Sequence, residues 1–171
     1  MIIEERVERS QYVKLITWIV SFIILIAGIV FPVLILWVNQ DMMSKVIGAS
    51  VLCLIFFTLI FTVAYQPRKL ILSETHIIME RILGQVYISY SDITDISLYH
   101  RENVAEIRIF GIGGLGGYIG KFYNSKIGFY TAYVGDYSQA FLIKINNREK
   151  YVMSCRHAEK IVEEVKSRLK Q

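Results

Sequence analysis

The sequence predicts an α+β protein: a two-helix transmembrane hairpin at the N-terminal end, then an antiparallel β-barrel or sandwich of about seven strands, capped by one C-terminal α-helix. Three observations carry this. Two long runs, residues 15–38 and 46–65, contain no Asp, Glu, Lys, Arg or His. Short β-type runs separated by turn residues follow them, and the last segment changes to helical spacing. The chain of 171 residues is 54% hydrophobic with a mean hydropathy of +0.42. That exceeds the roughly 45–50% of ordinary soluble domains, and the excess lies in the two runs.

The first run is 24 residues long; as a helix it covers about 36 Å against about 30 Å of hydrocarbon, enough to span with some tilt. The second, at 20 residues, matches that thickness with little excess. Tyr12, Trp18, Trp37 and Tyr65 fall at the ends of the runs, where amphipathic rings mark the two headgroup levels. The first run is too long for the apolar core of a secretory signal, and Asn39-Gln40-Asp41 after it offers no small-residue cleavage pattern. Residues 39–45 form a short link, so the two helices are antiparallel neighbours. Arg6, Arg9 and Lys14 precede the first run and Arg68 and Lys69 follow the second, while the link holds only Lys45. Positive charge stays inside, so both chain ends of this multi-pass membrane protein are expected in the cytoplasm. Pro32 predicts a mild kink, and the absence of charge within the runs argues against an ion or substrate path. The chain thus divides into a cytoplasmic segment 1–14, a membrane hairpin 15–65 and a cytoplasmic domain 66–171.

From Gln66 onward there are 15 Lys or Arg and 11 Asp or Glu. This mild basic excess favours an anionic leaflet, but the cations are scattered, so no nucleic-acid partner is expected. Strands are expected over residues 69–72, 76–82, 86–89, 94–99, 106–110, 127–134, 140–145 and 151–154. Ser73-Glu74-Thr75 and Leu83-Gly84-Gln85 supply turns, and residues 146–149 supply a hairpin loop. Together these read as an antiparallel meander. Ala158, Ile161, Val162, Val165 and Leu169 then recur at helical spacing, with acids early and bases late, and Ser154 is the expected N-cap.

Strands followed by one closing helix suggest the pleckstrin-homology-like architecture. Tyr90-Ser91-Asp92-Ile93 with Ile96, the string from Arg108 through Gly111, Gly113, Gly114, Gly116 and Gly117 to Tyr123, and Ile127-Gly128-Phe129-Tyr130-Thr131-Ala132-Tyr133 resemble the bacterial pleckstrin-homology domain family of small membrane proteins. The resemblance covers roughly residues 66–169. It implies a fold and association with a bacterial inner (plasma) membrane more than a mechanism, since no established catalytic activity or cofactor goes with that family.

Seven of the eleven glycines fall within residues 111–128. Gly111, Gly113 and Gly116 match G-x-G-x-x-G formally, but a dinucleotide site needs a helix to start there and no helical period follows. A P-loop fails at Leu115 and Phe122. Two readings remain open. The glycines either let a strongly curved hairpin form, or the segment is a contact surface built from Tyr118, Lys121, Phe122, Tyr123, Lys126, Phe129 and Tyr130. Residues 107–135 contain three cations and no carboxylate, a mixture that suits headgroups or a partner groove.

The remaining reactive residue types assemble nothing catalytic. His76, His100 and His157 lack metal-ligand spacing, Cys53 and Cys155 lie in different parts of the chain, and Asp92 and Asp95 suit turn capping. The expected role is therefore a non-enzymatic, membrane-anchored scaffold that engages a protein partner or itself, with the lipid bilayer as its setting. The alternative is an accessory or regulatory subunit of a membrane transport or signalling complex. The turn Ser73-Glu74-Thr75-His76, which corresponds to the basic first hairpin of phosphoinositide-binding relatives, lacks cations, so no specific phosphoinositide site is expected.

Overall fold

The computed structural model describes residues 2–38, 41–101, 106–146 and 148–169. Residues 39, 40 and 147, which belong to the expected interhelical link and last hairpin loop, lie outside them.

A strand, β1 (Ile3–Arg6), precedes the helices. The chain then turns into α1 (Gln11–Val38), whose start is capped by Ser10: its hydroxyl oxygen accepts from the Val13 N–H at 3.2 Å. The helix runs through Pro32. Asp41 caps α2 (Met42–Ala64) by accepting from the Ser44 N–H at 3.0 Å. The two helices pack side by side, with Gly28 close enough that a Cβ there would sit 3.2 Å from Ile55 Cδ1. Two stretches, Gln11–Ile35 and Met42–Ala64, are long and apolar enough to cross a membrane.

The rest forms two sheets and a helix. β2 (Pro67–Leu72), β3 (His76–Arg81) and β4 (Gln85–Ser89) continue from β1 as a four-stranded antiparallel sheet in the order β1-β2-β3-β4. The second sheet holds β5 (Ile93–Leu98), β6 (Glu106–Gly113), β7 (Tyr118–Asn124), β8 (Gly128–Val134), β9 (Ala140–Ile145) and β10 (Lys150–Ser154), in the order β5-β9-β10-β8-β7-β6. α3 (Ala158–Leu169) ends the described chain.

The main core lies between these layers. Leu70, Leu72, Ile77 and Met79 of the first sheet meet Ile96, Phe141, Ile143 and Met153 of the second, with Ile161, Val162 and Val165 of α3 closing the end. Burial of this apolar set is the dominant favourable contribution to folding.

Three expectations are corrected. The described strands number ten, in two separate sheets that do not close into a barrel, because the chain leaves the first sheet through the single 3₁₀ turn Tyr90–Asp92 instead of continuing the ladder. The arrangement is also not a pure meander. β10 inserts between β9 and β8 and pairs with β8 in parallel, Val152 opposite Ala132. Ser154 ends β10 and does not cap α3; its hydroxyl accepts from the Gly135 N–H at 2.8 Å.

Candidate functional site

Strand register decides the fate of the glycine-aromatic segment. Side chains alternate across a sheet, so β6, β7 and β8 sort it onto two faces. On one face Phe122 stands opposite Tyr130. Their rings are 5.9 Å apart, and they are 2% and 3% exposed, within a second core that also contains Tyr99, Ala132, Leu142 and Val152. Tyr118 packs against this core, its ring 4.8 Å from Tyr137. Phe122 and Tyr130 are thus interior residues and cannot belong to a contact surface in this conformation. The β-period places them there, opposite in face to Tyr123 and Phe129.

This second core has a polar rim. Tyr137 donates to Glu106 Oε1 at 3.0 Å, and Arg101 Nε faces Glu106 Oε2 at 3.5 Å. The Arg101 guanidinium lies 4.6 Å from the Tyr137 ring centre and 5.1 Å from that of Tyr118. Burial, reinforced by the neighbouring Tyr137 hydroxyl, pushes the Tyr130 phenol far above its ordinary range, and burial does the same to Tyr137. Both hydroxyls stay protonated and serve as hydrogen-bonding groups.

The other face carries the rest. Ile107, Tyr123 and Phe129 form one row across β6, β7 and β8, and Phe110, Lys121 and Thr131 form the next. Tyr123 and Phe129 rings are 5.0 Å apart. Phe110 is 73% exposed and Phe129 67%, with Ile107 and Ile109 also exposed. Lys121 is exposed between them, whereas Lys126 sits in the β7–β8 turn with its N–H donated to Asn124 Oδ1 at 2.8 Å. β6 is the last strand of its sheet, so one of its edges is unpaired within the described chain. The structure therefore unites Lys121, Tyr123 and Phe129 on an apolar, cationic face and adds Ile107, Ile109 and Phe110. Sequence reasoning missed these three because an apolar strand reads the same at a sheet's centre and at its edge.

The glycines serve a joint. Residues 114–117 form the β6–β7 turn, which lies against the first turns of α1: the Gly116 N–H donates to Thr17 Oγ1 at 2.8 Å, and a Cβ on Gly114 would touch Ile16. Gln66, buried just after α2, accepts from the Arg9 guanidinium at 2.6 Å. Gly116 has φ +74°, and a Cβ there would fall 1.9 Å from Gln66 Nε2. At Gly111, φ +117°, it would fall 2.1 Å from the Ile119 carbonyl oxygen across the hairpin. Only glycine fits either position.

The reactive residue types have structural roles. Burial pushes the Cys155 thiol up to about 12. His157 faces Glu5 at 3.0 Å, and Lys144 pairs with Asp95 at 2.9 Å. Among the described residues no three His, Cys, Asp or Glu cluster as metal ligands would. The turn over residues 73–75 lies at the opposite end of β2 from the helices, about 17 Å away by strand rise.

The family model described as Bacterial PH domain matches residues 68–169. No curated protein and no solved structure matches the chain.

Proposed function

Because this chain belongs to the bacterial PH domain family, we propose that it is a non-catalytic binding module, anchored in the inner membrane by α1 and α2 with both ends in the cytoplasm. Its β6–β8 face takes an extended segment of a protein partner. The positive-inside distribution of Arg6, Arg9, Lys14, Arg68 and Lys69 supports the orientation.

One observation carries the binding role: β6 offers exposed Ile107, Ile109 and Phe110 beside an unpaired strand edge. Soluble domains protect such edges, because unpaired N–H and C=O groups recruit another strand. Strand addition supplies main-chain hydrogen bonds, and side-chain pockets supply selectivity. Residues 107–135 hold three cations and no carboxylate, so the complementary segment is apolar and acidic. Anchoring in a plane raises the effective concentration of the two partners, so a modest interface suffices. The module has no nucleic-acid role and no specific phosphoinositide site, and it uses no cofactor.

The test places a photo-crosslinking amino acid at Phe129, separately at Ile107 of the edge strand β6, and separately at Lys160 of α3, in the full chain in its native membrane. A discrete adduct at Phe129 that is absent at Lys160 and lost in Lys121→Glu is the expected result. A cross-linked dimer of the chain would reassign the occupant to a second copy. No adduct at either Phe129 or Ile107 would end this reading.

A further inference from the structure

We propose that the β domain does not hang free below the membrane but is seated in its cytoplasmic headgroup layer by the β3–β4 turn, through Ile82 and Leu83. This rests on the membrane-spanning reading of α1 and α2.

The geometry begins at the end of α2. A helix leaves its last four carbonyls without intrahelical partners, and in or near hydrocarbon each must still be satisfied. Here the chain supplies three partners. Tyr65 N–H donates to the Phe61 carbonyl at 3.2 Å, Gln66 N–H to that of Val63 at 3.3 Å, and Leu83 N–H to that of Ala64 at 2.8 Å. The third comes from the β3–β4 turn, so this turn is fixed at the level where α2 ends. Arg81, the last residue of β3, lies over the Tyr65 ring with its guanidinium carbon 5.2 Å from the ring centre.

A second turn fixes the same level on α1. The β6–β7 turn bonds to Thr17, one residue before the exposed Trp18. The two attachment points, Thr17 and Ala64, thus each adjoin a ring, Trp18 and Tyr65, of the kind that partitions to the headgroup region. Both hairpin turns reach the membrane boundary.

What the β3–β4 turn presents there is apolar. Ile82 is 50% and Leu83 57% exposed, although both stand at a turn where polar residues are usual. In water this is unfavourable; in the interfacial layer it is favourable, and the nearby Arg81 and Arg68 suit anionic headgroups. The occupant follows from the position: the bilayer entered by α2 begins where this turn is bonded.

Single-tryptophan forms of the full chain, with Trp18→Phe and Trp37→Phe, test this in proteoliposomes of phosphatidylcholine and phosphatidylglycerol carrying brominated acyl chains. Leu83→Trp should lose most of its emission to lipid brominated near the headgroup and shift to the blue, as should Ile82→Trp. Thr75→Trp, in the distal turn, should keep a water-like spectrum. Phe57→Trp, within α2, should be quenched by lipid brominated deep in the chain. If Phe57→Trp is quenched while Leu83→Trp and Ile82→Trp both stay water-like, the seating is overturned and the spans stand. If Phe57→Trp is itself unquenched, the spanning reading fails and takes the seating with it.

Discussion

The Gly116 N–H donates to the Thr17 hydroxyl at 2.8 Å across a separation of 99 residues. The same hydroxyl donates to the Val13 carbonyl at 2.6 Å, within its own helix. Thr17 is thus both part of α1 and the acceptor that holds the β6–β7 turn against it. The helix pair and the β domain are joined by tertiary hydrogen bonds, not only by the covalent chain at residues 7–10 and at Gln66.

Removing that acceptor leaves a part-buried N–H without a partner, which costs about 1–3 kcal/mol. Thr17→Val, close in shape, should lower the thermal midpoint of the detergent-solubilised chain, and Thr17→Ser should restore most of it. Equal midpoints for all three forms would show that the joint contributes no stability.

The glycines differ sharply in what they tolerate. Gly116→Ala meets Gln66 at 1.9 Å with φ +74°, and Gly111→Ala meets backbone at 2.1 Å with φ +117°. Each should cost more than about 1 kcal/mol. Gly113 has no such φ, and its nearest neighbour would be Arg108 Cδ at 3.6 Å. Gly113→Ala should be close to neutral in the same unfolding measurement.

The contrast shows why the segment was only half legible in the sequence. Clustered glycines announced a bent hairpin, but residues 118–124 were not assignable to a strand because Gly120 and the crowded aromatics blur the alternation. β1 was hidden for a different reason: three of the four residues of Ile3–Arg6 are charged, and its partner, β2, lies beyond both helices. The two apolar helices were legible as charge-free runs of membrane-spanning length, and the amphipathic α3 from its helical period, because both signals are local. Pairing of β8 with β10 is set by tertiary packing, which leaves no local mark.

Register also separates residues that composition lumps together. Phe122 and Phe129 are both aromatic positions of the β7–β8 hairpin, yet Phe122 is core and Phe129 is exposed. Phe122→Ala should cost about 3–5 kcal/mol of stability. Phe129→Ala should fall within about 0.5 kcal/mol of the parent while weakening partner capture. Comparable destabilisation by both in a chemical unfolding series would contradict the assignment of faces.

Cys155 gives a pH dependence with a definite sign. Desolvation raises its folded thiol from 9.0 to about 12, so the unfolded chain releases this proton first as pH rises. The stability associated with the neutral thiol is therefore intact below pH 9.0 and declines between there and about 12. Burial raises Tyr130, Tyr133 and Tyr137 as well, adding losses of the same sign. The thermal midpoint should thus fall through this alkaline window, with a shallower slope in Cys155→Ala. Because the thiolate is the reactive form, native Cys155 should resist maleimide at pH 8 and react once the chain is unfolded. Rapid labelling of Cys155 in the native protein at that pH would mean that its environment is wetter than the packing between β10 and α3 implies.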